Sequence, residues 1–158
     1  MILWRIATET RARRADDLSG EGAARHPGRW NAAGQPTVYA SASLALAVLE
    51  TAAHVDARGL PLNRFVVRID VPADVWAARE VCEPAQLPAA WAAIPAGRAS
   101  VEVGARWWRR QTSGLMQVPS VIVPEESVVL IHPLHPQAAR LRAQVVRPFE
   151  YDRMFRRA

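Results

Sequence analysis

The spacing of hydrophobic and polar positions changes several times along the chain, and each change marks an element. Ile2-Leu3-Trp4-Arg5-Ile6-Ala7 is an apolar run of strand length with Arg5 set among apolar neighbours. Thr8 to Pro27 is polar and rich in small residues, which reads as loop or a weak helix. From Thr37 to Ser41 a short strand turns Thr37, Tyr39 and Ser41 to one face and Val38 and Ala40 to the other, because strand side chains alternate. A helix follows, capped by Ser41 or Ser43 and stopped at Gly59-Leu60-Pro61. Leu44, Ala45, Leu46, Ala47, Val48, Leu49, Ala52 and Ala53 make it apolar almost all round, so it is expected to be largely buried.

Arg64 to Val71 alternates again, with Phe65, Val67, Ile69 and Val71 facing a core and Arg64, Arg68 and Asp70 facing water, a half-exposed strand ended by Pro72. Pro84, Pro88 and Pro95 limit residues 73–99 to short helices and loop. Val103, Trp107, Trp108 and Gln111 predict a helix between Val101 and Thr112, with Arg106, Arg109 and Arg110 on its wet side. Two apolar runs, Val118 to Pro124 and Val128 to His132, flank Glu125-Glu126-Ser127 as a hairpin-like pair. Pro119 places the first run at an edge or near a bulge, so Ser120 sits where backbone pairing is relaxed. A short helix or turn from Gln137 to Leu141 and a strand from Gln144 to Tyr151 complete the pattern. The expectation is one α+β domain over residues 1–158, a central mixed or antiparallel sheet with flanking helices.

Composition narrows the chemistry. A chain of 158 residues, half of them hydrophobic, suffices for one core. Cys82 is the single cysteine, so no internal disulfide forms, the cytoplasm is the default compartment, and the thiol is expected to be packing. No stretch nears the ~18 apolar residues of a membrane span, and the opening apolar run is too short for a signal peptide, so no membrane association is expected. All 20 basic residues are arginine, which excludes a Walker lysine, a lysine Schiff base and a lysine general base. The formal charge of +5 favours an anionic partner, whether nucleic acid, phosphorylated ligand or acidic protein. His132-x-x-His135 lacks a third ligand at suitable spacing, so no metal is expected and both rings are assigned to turn and strand-end hydrogen bonds. Arg153-Met154-Phe155-Arg156-Arg157 reads as a solvated basic tail.

Glu50 stands out because it is a carboxylate in an apolar helix. A buried unpaired charge costs several kcal/mol, so Glu50 needs a partner, the wet edge of its helix, or a proton. Arg29, in a loop bracketed by Gly28 and Gly34, is the natural partner; the alternative is an exposed strip with Thr51 and His54. Arg5 either snorkels at an edge or reaches into a pocket, and Trp30 and Tyr39 either stack on a planar ligand or pack.

Taken together, Trp4-Arg5-Ile6, Gly28-Arg29-Trp30-Asn31 with Gly34, Val38-Tyr39-Ala40-Ser41, Leu46-Ala47 through Glu50 with His54, Val118-Pro119-Ser120 and His135-Pro136 resemble the RES domain over nearly the whole chain. The resemblance implies the toxin half of a bacterial toxin–antitoxin system, made beside an antitoxin with an Xre-like helix-turn-helix. In such a complex DNA is reached only through the antitoxin, and a toxin–antitoxin oligomer is expected. It further implies a fold similar to the ADP-ribosyltransferase toxins and cleavage of the nicotinamide–ribose bond of NAD, a substrate here, with no prosthetic group. Water or phosphate as acceptor would deplete NAD; a protein side chain as acceptor would make the chain a mono-ADP-ribosyltransferase. Carried over by motif, Glu50, Arg29 and Ser120 are the expected catalytic residues, and Arg5, Arg29, Trp30, Asn31, Tyr39, Ser41 and Ser120 the expected NAD-binding ones. The sequence departs from the family at Ser127-Val-Val-Leu-Ile-His132-Pro133, where asparagines are expected in place of Ser127 and His132. The reading from a different class is a basic nucleic-acid-binding module without catalysis, which gives Glu50 no role.

Overall fold

The computed structural model describes residues 1–53 and 62–154. Seven strands, β1 (Ile2–Thr8), β2 (Val38–Ser41), β3 (Arg64–Asp70), β4 (Glu80–Val81), β5 (Leu115–Pro119), β6 (Ser127–Ile131) and β7 (Arg142–Phe149), share one sheet with four helices, α1 (Glu21–Arg25), α2 (Leu44–Ala52), α3 (Ala73–Ala77) and α4 (Arg98–Arg110). The strand order is β4-β5-β6-β2-β1-β3-β7. Every neighbouring pair is antiparallel except β4 with β5, so the sheet is mixed and the α+β expectation holds. No described helix is long and apolar enough to cross a membrane. His54, the helix stop at Gly59-Leu60-Pro61 and residues 155–158 of the basic tail lie outside the described residues.

Alternation along the strands gives the sheet two apolar faces. Leu3, Val38, Ala40, Val67, Ile69, Val129 and Ile131 cluster on one, closed over by Val75 of α3 and by Leu141. On the other, α4 brings Trp107 onto Met116, Val118, Val128 and Leu130, while Leu44, Val48 and Ala52 of α2 pack near Ile6, Val66 and Tyr151. Burial of these two helices on one face leaves a space between them above β1 and β2.

Several expectations need correction. The α2 helix buries only Leu46 and Ala47, while Leu49 is 40% exposed. Alanines define no face by hydropathy, so a pattern apolar all round did not mean contact all round. Ser43, not Ser41, is the cap, accepting from the Leu46 N–H at 3.1 Å. Strand β3 is interior, between β1 and β7, and Val66 on its other face is buried. The predicted strand at Val118–Pro124 begins earlier and stops at Pro119, and residues 120–126 are loop. The two-residue β4 pairs only with Met116 and Gln117, so β5 is one strand in from the edge while Pro119, which has no N–H to donate, lies past the paired stretch.

The strands β1 and β2 meet at a single pair, Trp4 with Ser41. Beyond it they diverge, although β1 continues in register with β3 and β2 with β6. The sheet is therefore split between its two central strands, and polar loops enter the gap: the Thr37 N–H reaches Gly20 O at 3.3 Å, and Arg5 Nη1 reaches Asp17 O at 3.3 Å.

Both histidines of the His-x-x-His pair serve the backbone. The Nδ1 of His132 accepts from the Leu134 N–H at 3.3 Å and that of His135 from the Gln137 N–H at 3.2 Å. With Nδ1 accepting, His132 Nε2 carries the proton and donates to Trp108 O at 3.1 Å, and the ring stacks on Trp108 at 4.8 Å. Burial lowers the His132 pKa from its usual 6.5. Among the described residues no group of three or more His, Cys, Asp and Glu could hold a metal.

Two stability measurements follow from this packing. A Cβ on Gly104 would stand 1.7 Å from Trp30 O, so Gly104→Ala must push α4 off the loop that carries Arg29. It is expected to lower the urea unfolding free energy by about 3 kcal/mol or more, and a loss under ~1 kcal/mol would show that the contact yields easily. For His132 the unfolded chain binds the proton more readily than the native one, so native stability rises as pH increases from the lowered folded pKa through 6.5 and falls on acidification. Urea unfolding from pH 5 to 7.5 should show a shallower pH slope in His132→Gln than in the parent chain; equal slopes would contradict the assignment.

Candidate active site

The gap between β1 and β2 opens into a cleft of about 1080 Å³. That volume reaches the upper end of the ~300–1,000 Å³ typical of small-molecule pockets. Its walls carry Glu50 and Thr51 of α2, Ser120 and Ile122 after β5, and Arg29, Ile94 and Val101 opposite. Arg5, Tyr39, Ser41 and Trp30 also line it. Seven of the eight residues expected at the site thus face one space.

Asn31 is the exception, and the reason is its bonding. It is 1% exposed and does not line the cleft. Its Oδ1 accepts from the Gly28 N–H at 2.9 Å and from the Tyr39 hydroxyl at 2.8 Å, and its Nδ2 donates to the carbonyls of Ala23, Ala32 and Gln35. The side chain is saturated within the loop, so Asn31 shapes the loop and has no donor left for a ligand. Gly28 is required on the same account, because a Cβ there would lie 2.7 Å from the Tyr39 oxygen.

The same bonds restrict Tyr39. Its hydroxyl accepts from the Trp30 N–H at 3.0 Å while its one proton goes to Asn31. Burial pushes the phenol pKa well above its ordinary value, so it stays neutral. The Tyr39 hydroxyl has no proton left for a ligand, so only its ring, which lines the cleft, is open to one. Trp30 is 3% exposed and stacks on Trp91 with centroids 6.0 Å apart, so most of its ring is packing.

Arg29 and Glu50 do not pair, contrary to expectation. The Nη1 of Arg29 donates to Trp91 O at 2.8 Å and to Ala93 O at 2.9 Å. Its Nε and Nη2 have no partner among the described residues, which leaves an oriented guanidinium edge with its full charge. Glu50 instead accepts from the Ser120 hydroxyl, Oγ to Oε1 2.6 Å. Ser120 is itself fixed, since its Oγ accepts from the N–H groups of Ile122 and Val123, both at 3.0 Å. A neutral donor fixes a carboxylate without cancelling its charge, as a cation would. Glu50 Oε2 accepts no bond from any described residue.

Other charges at the rim are spent on each other. Arg13 bridges Asp17 and Glu21 at 3.2 and 2.6 Å, and Arg14 pairs with Asp16 at 2.9 Å. Arg5 makes no ion pair among the described residues, and burial lowers its pKa to about 10, which leaves it protonated at neutral pH. Among the described residues, the cleft therefore presents two guanidinium groups and one carboxylate without an ion-pair partner. Ser127, where the family pattern expects asparagine, accepts from Gln117 Nε2 at 3.1 Å inside the sheet. His132 stacks under Trp108, and neither replacement lines the cleft.

Sequence reasoning missed the Trp91–Ala93 carbonyls and the residues from Arg13 to Glu21. Every residue has a carbonyl, so nothing in the alanine- and proline-rich segment marked it as the seat of an arginine. The charges from Arg13 to Glu21 were visible, but nothing in their spacing tied them to β1.

Comparison with known proteins identifies the family and the fold. The family model described as the RES domain matches residues 2–154. The chain is 53% identical over 156 residues, 98% of its own length and 97% of the relative's, to the Prs ADP-ribosylating toxin of Sphingobium sp. (strain YBL2). It is 37% identical over 150 residues, 92% of its length and 93% of the relative's, to Toxin Res of Pseudomonas putida KT2440. Among solved structures, the M. tuberculosis MbcT-MbcA toxin-antitoxin complex contains a chain with the same fold, at a TM-score of 0.64, 20% identity, and coverage of 93% of this chain and 84% of that one. A full-length family match and two full-length toxin relatives lead to one conclusion: this chain belongs to the RES domain toxin family.

Proposed function

We propose that the cleft binds NAD, breaks its nicotinamide–ribose bond and passes the ADP-ribosyl group to an acceptor. The observation that carries this reading is the 2.6 Å bond from Ser120 to Glu50 inside a cleft that also holds Arg29, without an ion-pair partner among the described residues, and the ring of Tyr39. Nicotinamide is attached through a cationic nitrogen and departs neutral, so the reaction needs no general acid. It needs stabilisation of the positive charge that develops on the ribose, and one carboxylate suffices, unlike the carboxylate pair of ordinary glycosidases. Glu50 supplies it through Oε2, which has no partner among the described residues, while Ser120 holds Oε1 and the carboxylate plane. The guanidinium edge of Arg29 that has no described partner suits a pyrophosphate oxygen through charge-assisted hydrogen bonds, and half-buried Arg5 adds a second cation. Tyr39 offers a surface on which a nicotinamide ring can stack.

The separation of Arg29 from Glu50 favours this chemistry. A guanidinium within ~4 Å of the carboxylate would oppose its field at the sugar and repel the forming cation. Because it is anchored on main-chain carbonyls, Arg29 can serve the phosphates without doing so.

The name of the 53% identical relative supports a protein as acceptor. Water or phosphate would use the same first step and deplete NAD. An antitoxin partner, expected to carry an Xre-like helix-turn-helix and to supply any DNA binding, belongs to the same reading. Co-purification with the product of the adjacent gene tests it, and a toxin that stays alone counts against it. The nucleic-acid-module reading draws support only from charge. Several of the arginines it would use are tied up, as in Arg68–Asp70, Arg110–Glu80 and Arg140–Asp74.

Incubation of the purified protein with NAD should release nicotinamide. Glu50→Ala is expected to cut kcat at least about a hundredfold, since losing a charge aimed at a transition state costs on the order of 3 kcal/mol. Ser120→Ala should cut it by roughly ten- to a hundredfold, in line with one charge-assisted hydrogen bond. Arg29→Ala should chiefly raise KM. Labelled NAD with phosphate present, absent, or replaced by cell extract assigns the acceptor by where the ADP-ribose appears. Unchanged turnover in Glu50→Ala and Arg29→Ala would eliminate the mechanism.

A further inference from the structure

The Glu50–Ser120 bond is one side of a closed circuit. Its other members lie outside the cleft: Ser43 at the start of α2 and Glu126 at the end of the loop from Ser120 to Glu126. The Ser43 hydroxyl accepts from the Leu46 N–H at 3.1 Å, capping the helix, and donates its proton to Glu126 Oε2 at 2.8 Å. The main chain of Glu126 holds the loop together, since its carbonyl accepts from the Ser120 N–H at 2.9 Å and its N–H donates to Val123 O at 2.9 Å. Ser120 then donates to Glu50 at 2.6 Å.

The loop is thus fastened to α2 twice, at Ser43 and again at Glu50, seven residues or ~10 Å further along the helix axis. Between the two fastenings the loop closes on itself through the Ser120 N–H. We infer that Glu126 is a positioning residue: its side-chain bond to Ser43 fixes the loop along the catalytic helix so that the Ser120 hydroxyl meets Glu50 in one orientation. This rests on the reading of Glu50 given above and extends it to a residue that touches no substrate.

Two properties separate this from ordinary loop stability. Ser43–Glu126 is exposed, so its loss should cost the fold little, whereas a catalytic group displaced by a fraction of an ångström loses rate steeply. In addition, the Ser43 cap and the Ser43–Glu126 bond can be broken independently. Ser43→Asp keeps an oxygen to cap α2 but sets a second carboxylate against Glu126. Adding Glu126→Gln removes that repulsion and supplies an amide donor.

The test measures nicotinamide release from NAD, with melting temperature in parallel, for the parent chain, Glu50→Ala, Glu126→Ala, Glu126→Gln, Ser43→Asp and the Ser43→Asp/Glu126→Gln pair. Glu126→Ala and Ser43→Asp are expected to lower kcat by about three- to thirtyfold with KM for NAD unchanged, less than the ~100-fold of a 1 Å misplacement. Glu126→Gln, whose amide oxygen still accepts from Ser43, should stay within about twofold of the parent, and the double variant should recover most of the loss in Ser43→Asp, by analogy with other coupled pairs. Parent-like kcat in Glu126→Ala and Ser43→Asp, or losses that only follow melting temperature, would overturn the assignment while Glu50→Ala remains inactive. A parent chain that releases no nicotinamide would instead refute the reading of Glu50 itself, and the positioning role with it.

Discussion

A hydrogen bond from Ser120 to Glu50 joins two segments seventy positions apart, and the arrangement of the cleft depends on it. Glu50 sits in a helix whose neighbouring positions are apolar, where an ionised carboxylate without a partner would be costly. A cation would remove that cost and also cancel the charge. A hydroxyl whose lone pairs are already occupied by two backbone N–H groups removes much of it and leaves the charge in place. The helix, the loop after β5 and the end of that strand are thereby set against one another.

The split between β1 and β2 is the second constraint. A sheet continuous across its centre would hold Arg5 and Tyr39 apart on opposite faces, since Arg5 alternates in step with Leu3 and Ala7 of one core while Tyr39 packs with the other. Because the two strands pair only at Trp4 and Ser41, side chains from both reach one space, and main-chain carbonyls from distant loops come within range of the arginines. Polar loops rather than apolar side chains fill part of the gap, which explains why the polar stretch from Thr8 to Pro27 forms part of the cleft wall.

Much of this was legible in the sequence where side-chain chemistry carries the signal. The apolar run of β1 and the alternation in β2 and β3 pointed to the strands and to the shared orientation of Tyr39 and Ser41, and the lone acid in α2 pointed to Glu50. Legibility failed where the main chain does the work. Arg29 is held by carbonyls that no residue type announces, so the sequence offered Glu50 as its partner. Asn31 was expected at the ligand only because it belongs to the Gly-Arg-Trp-Asn motif, yet its bonds all turn inward. The stop of β5 at Pro119 was half visible: the proline was evident, while the short β4 that pairs only as far as Gln117 was not.

The central claim is geometric, that Glu50 Oε2 faces the sugar carbon losing its base while Ser120 holds Oε1. A crystal structure of the chain with an unreactive NAD analogue retaining the nicotinamide ribose tests it most directly. The account predicts Glu50 Oε2 within about 3.5 Å of that carbon or of the neighbouring ribose hydroxyl, with the Ser120 bond intact and Arg29 on the pyrophosphate. An analogue bound outside the cleft, or with its nicotinamide ribose beyond reach of Glu50, would contradict it.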